Sequence, residues 1–102
     1  MEKVIKDGKV AVIYSPGFGA GWYTWSHVEA CLFHPTIVNL IIAGKRKEIT
    51  DELCKSLFGD DFYSGGSDSL QIEWLPIGTK FDIEEYDGSE TVITIDDLIL
   101  EA

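Results

Sequence analysis

The chain contains few cysteines, prolines and methionines, and it has no long apolar run. Its 102 residues include only two cysteines, three prolines and one methionine. Because no apolar run follows the charged start Met1-Glu2-Lys3, we expect no signal peptide. We therefore expect a cytoplasmic location, where the two cysteines are reduced thiols. No apolar run approaches the ~18–20 residues of a membrane-spanning helix, so we expect no membrane segment.

Positive charge is scarce in the second half of the chain. Residues 57–102 carry twelve acidic side chains and one base, Lys80, whereas residues 1–56 carry six acidic and seven basic side chains. An anionic half repels phosphate backbones, so direct nucleic-acid binding is disfavoured. The acidic half is either a solvated face or a docking surface for a basic partner, including mimicry of DNA.

The order of the predicted elements indicates one α+β domain over residues 1–102. Hydrophobic residues make up 45% of the chain, which is enough for a single core. We predict an N-terminal hairpin at 4–14, a helix at 22–34, a short helix at 36–43, whose β-branched residues also fit a strand, and a helix at 49–58. A strand at 70–74, two at 81–84 and 92–95, and a strand or tail at 98–100 follow. We therefore predict a mostly antiparallel sheet, built from the N-terminal hairpin and three C-terminal strands, with two or three helices packed on one face.

The register of the C-terminal hairpin can be predicted from its apolar residues. A two-residue Asp87-Gly88 turn would place Ile83 opposite Val92. A loop of three or five residues would instead place Ile83 opposite Ile93 and put four large apolar side chains on one face. We therefore predict the odd-numbered loop. An unpaired edge at the first or last strand could also pair with a second copy of the chain, which would make a homo-oligomer.

A glycine-rich loop, Gly17-Phe18-Gly19-Ala20-Gly21, follows the second strand. It matches neither a P-loop nor a dinucleotide fingerprint, so nucleotide-dependent enzymes are disfavoured. Its amides could hold a phosphate while nearby rings stack on a base, or the rings could be core and the glycines could allow close packing. The first alternative predicts a ligand site made of Tyr14, Gly17, Phe18, Gly19, Gly21, Trp22, Tyr23, Lys45 and Arg46.

The polar side chains give little support for catalysis or metal binding. His27, Cys31 and His34 have helical spacing, and Cys54 lies on another predicted helix, but no C-x-x-C pair is present. No nucleophile lies in a recognised catalytic motif. We predict no catalytic residue, no metal ligand and no cofactor.

Three segments carry a resemblance to known proteins. Val12–Trp22, which contains Tyr-Ser-Pro-Gly-Phe-Gly-Ala-Gly-Trp, together with Ile72–Pro76 and Phe81–Glu90, resembles a group of small uncharacterised bacteriophage-type proteins. The resemblance implies an accessory protein that counters host defence by binding something in the host cytoplasm, such as a defence enzyme or the nucleotide signal that it makes. It implies no catalytic residue.

Two functions therefore follow from the sequence as hypotheses. In the first, the protein binds a small nucleotide-like ligand at the glycine and aromatic loop, with Lys45 or Arg46 balancing the phosphate charge. In the second, an acidic C-terminal surface docks on a basic partner protein. That surface would consist of Asp82, Glu84, Asp87, Glu90, Asp96 and Asp97.

Overall fold

The structure, a computed structural model, describes residues 2–95. These residues form two strands, three α-helices and three further strands, with short 3₁₀ turns between the helices and before the third strand. The predicted α+β class is confirmed. The predicted strand or tail at 98–100 and the acidic residues Asp96 and Asp97 lie outside the described residues.

A three-stranded antiparallel sheet is built from the N-terminal hairpin and one later strand. Its order is β1 (Ile5–Lys6), β2 (Lys9–Tyr14) and β3 (Gln71–Pro76). Asp7 and Gly8 form the turn between β1 and β2, with φ of 53° and 75°. Positive φ at both positions is the geometry of a two-residue type I′ turn, which matches the twist of the strands. The predicted N-terminal hairpin is confirmed.

The central strand β2 is buried on both faces. Ala11 and Ile13 belong to a cluster of apolar side chains that includes those of the helices. Val12 belongs to a second cluster, with Leu75 and Ile83. Alternate residues of a strand point to opposite faces, so β2 separates two layers of core. The helices therefore cover one face of the sheet, and the C-terminal hairpin covers the other.

That hairpin is a separate two-stranded sheet. It consists of β4 (Phe81–Tyr86) and β5 (Ser89–Thr94), and it pairs with no strand of the first sheet. The three C-terminal strands are thus divided between two sheets. The prediction that all three strands extend the sheet of the N-terminal hairpin is wrong for β4 and β5. β3 pairs with β2, whereas the β4–β5 hairpin packs across one face of the three-stranded sheet.

The register of β4 and β5 also differs from the prediction. Ile83 lies opposite Val92 and Phe81 lies opposite Thr94, joined by a two-residue Asp87-Gly88 turn with φ of 49° and 84°. The predicted odd-numbered loop is therefore wrong. The observed register turns Glu90 and Val92 inward, and the burial of Glu90 at 1% exposure explains why apolar matching alone gave the wrong answer.

Three short helices form the other layer: α1 (Tyr23–Ser26), α2 (Pro35–Ile42) and α3 (Asp51–Phe58). The helices predicted near 36–43 and 49–58 are confirmed. The His34 side chain accepts a hydrogen bond from Thr36 N at the start of α2, and Thr50 accepts one from Leu53 N at the start of α3. Both contacts satisfy amides that a helix N-terminus leaves free.

The single helix predicted for 22–34 is wrong. His27 has a left-handed φ of 57° and ends α1, and only a 3₁₀ turn at Glu29–Leu32 follows. The break brings the chain back over Trp22, whose indole Nε1 donates to Cys31 O at 2.8 Å. Trp22 is fully buried and lies edge-on to Phe62, with 4.9 Å between the ring centroids.

None of the helices among residues 2–95 has the length and apolar character that a membrane span requires.

The two Asp-Gly turns give a matched test of how tightly the hairpin tip packs. A Cβ at Gly88 would lie 2.5 Å from Ala20 N, whereas a Cβ at Gly8 would meet nothing within 4 Å. Both substitutions to alanine carry the left-handed penalty of about 1–2 kcal/mol, and Gly88→Ala adds an overpacking cost of about 1–3 kcal/mol. Urea unfolding should therefore show Gly88→Ala to be the less stable variant. Equal stability would contradict the contact between tip and loop.

Candidate functional site

The carboxylate of Glu90 is buried between the hairpin and the glycine loop, and it accepts four hydrogen bonds. Ser15 N donates to Oε1 at 2.9 Å. Trp22 N, Thr24 N and the Thr24 hydroxyl donate to Oε2 at 3.1, 2.8 and 2.6 Å. A buried carboxylate is tolerated only where hydrogen bonds replace its water, and here both oxygens are satisfied.

The backbone of the hairpin tip makes further contacts with the loop. Gly19 N donates to Asp87 O at 2.6 Å, and Glu90 N donates to Ser15 O at 2.8 Å. The Ser89 hydroxyl donates to Pro16 O at 2.7 Å. Together with the Glu90 carboxylate, these bonds fix the loop against the tip at both of its ends and near its middle.

A second segment packs against the loop from the other side. The buried Ser15 hydroxyl lies 3.1 Å from Ser69 Oγ, and a Cβ at Gly66 would come within 2.5 Å of Gly21 O. A Cβ at Gly17 would come within 2.9 Å of Ser69 Oγ. Glycine is therefore needed at 66, where the backbone of another segment approaches closely, whereas a Cβ at 17 would displace the Ser69 hydroxyl.

This packing determines which of the predicted ligand residues are free to contact a ligand. Trp22 has no exposed surface, so its prediction as a stacking ring is wrong. The Gly19 amide is bonded to Asp87 O, and Gly21 lies against the Trp25 ring. Tyr14 is half-buried at the end of β2, opposite Gln71. Tyr23 is half-buried and faces a groove beside Phe33.

Phe18 is the exposed ring of the loop. It is 74% exposed and lies beside Tyr86, which is 78% exposed. A shallow pocket of about 160 Å³ lies between them, and Glu84 and Glu85 line its wall. We give the name hairpin face to Phe18 together with the exposed acidic and aromatic side chains near the turn of the hairpin, which are Asp82, Glu84, Glu85, Tyr86 and Asp87.

Trp25 extends the hairpin face toward the helices. Its indole Nε1 donates to Glu85 Oε2 at 2.7 Å, and its ring lies 5.0 Å from that of Tyr63. Trp25 and Tyr63 are 41% and 39% exposed. An exposed, hydrogen-bonded indole of this kind holds one carboxylate in a fixed position at the edge of an aromatic surface.

The predicted basic ligand residues lie elsewhere. Lys45 and Arg46 line a groove of about 570 Å³ with Lys47 and Asp68, after the end of α2. The Arg46 Nε donates to Leu70 O at 2.8 Å, which fixes this side chain. Phe18 lines a different pocket, so the structure does not bring the basic residues and the exposed loop ring into one site.

The predicted partner residues also divide. Asp82, Glu84 and Asp87 are exposed on the hairpin, as a docking surface requires. Glu90 is buried, so its assignment to partner contact is wrong: its carboxylate is already bonded to the loop. Sequence reasoning missed Glu85, Tyr86 and Trp25, although the Glu-Glu-Tyr-Asp string beside the turn was a usable signal.

The two cysteines lie in the core. Among residues 2–95, no group of three or more His, Cys, Asp or Glu side chains is arranged to hold a metal ion. Burial raises the pKa of the Cys31 thiol to about 12 and that of the Cys54 thiol to about 11. The thiolate is the reactive form of cysteine, so both side chains are inert in the folded protein.

Glu90→Gln tests the importance of the buried carboxylate. The amide nitrogen of glutamine cannot accept a hydrogen bond, so it leaves at least one buried N–H without a partner, at a cost of about 2–4 kcal/mol. Thermal unfolding should show a Tm lower by roughly 10 °C or more. Glu85→Gln is the control, because Glu85 is exposed and an amide oxygen can still accept from Trp25. Equal melting of the two variants would contradict the assignment.

Thiol reactivity tests the burial of the cysteines. At about pH 8, a thiol with a pKa near 12 is ionised in about one molecule in ten thousand. The native protein should therefore react with an aromatic disulfide reagent only at the rate at which it opens. In urea both thiols should react at once. Immediate reaction of the native protein would show that the core is accessible.

No family model, no curated protein and no solved structure matches this chain. The function is therefore argued from the site itself. A buried carboxylate orders the loop, exposed rings and carboxylates share the hairpin face, and three basic residues line a separate groove.

Proposed function

We propose that this protein is an interaction protein that docks its hairpin face on a basic partner. The observation that carries the proposal is that the exposed Phe18 and Tyr86 rings line one pocket, on a hairpin that exposes four carboxylates. These carboxylates belong to Asp82, Glu84, Glu85 and Asp87. The proposal takes up the acidic C-terminal surface predicted from the sequence, with Glu90 removed from it.

The charge of this face is not neutralised within the described structure. Among residues 2–95, the one ion pair within 4.0 Å joins Lys55 and Asp51 on α3. The hairpin itself, Phe81–Thr94, contains no Lys or Arg. Like charges held close together raise the local potential, and a cationic surface relieves that repulsion while it gains attraction.

The aromatic rings give the face a source of affinity that charge alone lacks. Phe18 and Tyr86 are large apolar groups held at the surface by a loop and a turn whose backbones are bonded together. Burial of such rings contributes to interface hot spots, and arginine stacks on aromatic faces. A partner surface rich in arginine therefore suits both components of the face.

A rigid platform also reduces the cost of binding. The loop that carries Phe18 is bonded to the tip through Gly19 N, and the tip that carries Tyr86 is bonded back through Ser89. Side chains on an ordered backbone lose less entropy when a partner binds. The resemblance to bacteriophage-type proteins suggests a protein of the host cell as the source of this basic surface.

A polyarginine peptide of about nine residues is a direct probe of the proposed surface, and isothermal titration calorimetry measures its affinity. Raising the salt concentration from about 50 to about 300 mM should weaken binding, because screening shortens the reach of the charges. Glu84→Lys should weaken binding about fivefold to tenfold at low salt, because it replaces an attraction by a repulsion.

The matched control is Glu52→Lys, which makes the same change of charge at an exposed position of α3 in the helical layer. It should weaken binding much less than Glu84→Lys does. An equal effect of the two reversals would show that net charge, and not the hairpin face, attracts the peptide. Affinity independent of salt would also contradict the proposal.

A second candidate function is the binding of a nucleotide-like ligand, and the groove beside α2 favours it. Lys45, Arg46 and Lys47 line this groove together with Glu48 and Asp68, and its volume of about 570 Å³ is in the range of small-molecule sites. Thermal melting with a panel of mono-, di- and cyclic nucleotides tests this candidate. A stabilising nucleotide whose effect is lost in Lys45→Ala would support it, and no shift with any nucleotide would remove it.

A further inference from the structure

A groove between β4 and the 3₁₀ turn at Glu29–Leu32 already contains a cation of this chain. Its volume is about 300 Å³. The Lys3 ammonium lies 4.4 Å from the centroid of the Phe33 ring, a cation–π contact. We name this site the Lys3 groove.

The walls of the Lys3 groove are aromatic and acidic. The Phe33 and Phe81 rings meet edge-on, with 6.1 Å between their centroids, and Tyr23 adds a third ring. Glu29 lies on the 3₁₀ turn and Asp82 on β4, so the two carboxylates come from opposite walls. Ring faces with carboxylates nearby are the chemistry that recognises a lysine or arginine side chain.

Lys3 is held weakly in this position. In the described part of the chain its ammonium forms no ion pair within 4.0 Å, and the side chain is exposed. A single exposed cation–π contact favours the bound position by only about twofold to fivefold. Another cation can therefore replace it at small cost.

We propose that the Lys3 groove is a subsite for a lysine or arginine side chain of the basic partner, and that Lys3 is an internal occupant which that side chain displaces. The inference rests on the proposed function, since it needs a basic partner. Asp82 connects the two surfaces, because it lines the groove and belongs to the hairpin face. Lys3 then acts as a built-in competitor that lowers the affinity for cations.

Lys3→Ala removes the competitor, and Lys6→Ala is the matched control. Lys6 is also exposed and lies on β1, so its removal changes the net charge equally. Lys3→Ala should bind the polyarginine peptide about twofold to fivefold more tightly than Lys6→Ala does. Adding Glu29→Gln to Lys3→Ala should reduce this gain. Equal affinities of the two lysine variants would overturn the inference.

A second readout separates this inference from the proposed function. Arginine amide, a single cationic side chain, is titrated into each variant while NMR follows the ring protons of Phe33 and Phe81. We expect ring shifts that saturate at lower concentration in Lys3→Ala than in wild type and Lys6→Ala. Ring shifts without peptide binding would support the subsite and contradict the proposed function. Peptide binding with unmoved rings would support the hairpin face and overturn the subsite.

Discussion

The buried carboxylate of Glu90 is the interaction on which the rest of the structure depends. Its four hydrogen bonds join β5 to the end of β2, to the glycine loop and to the first turn of α1. A single side chain thus connects the C-terminal hairpin to both the sheet and the helical layer. Without it, the hairpin would be held by apolar contacts with Leu75, Phe33 and their neighbours and by the hydrogen bonds of its tip to the glycine loop. Two-stranded hairpins are marginal on their own, so this buried connection adds to those contacts in holding the hairpin to the domain.

Much of the fold was predictable from local pattern, and two of the failures involve Glu90. The strands near 9–14 and 71–76 and the helices α2 and α3 followed from periodicity, caps and turn residues. The register of the last hairpin did not, because apolar matching treated Glu90 as an outward residue. The helix predicted for 22–34 failed for a related reason: Trp22 and Thr24 give their amides to Glu90, and His27 ends the turn so that the chain can fold back. A long-range hydrogen-bonded carboxylate leaves no periodic signal in the sequence.

The candidate site was predictable only in part, because it too depends on contacts between residues that are far apart in the sequence. A glycine loop with aromatic residues has the composition of a ligand site, yet here its glycines allow chains to approach closely and its amides serve the fold. The acidic bias of the second half of the chain was a better guide. It pointed to the hairpin that carries Glu84 and Asp87, although only the structure shows Phe18 and Tyr86 beside them. The Lys3 groove could not be predicted, because it joins residues about 80 positions apart through the packing of β4 on the 3₁₀ turn.

Native-state hydrogen exchange measured amide by amide tests the central claim most directly. The amides of Ser15, Trp22 and Thr24, which bond to the Glu90 carboxylate, belong to a loop and a helix end that would ordinarily exchange early. If Glu90 joins the layers as described, these amides should exchange only with global unfolding, at the same free energy as the amides of β2. Rapid exchange at these three positions, with β2 still protected, would show that the loop opens independently and that Glu90 does not hold the domain together.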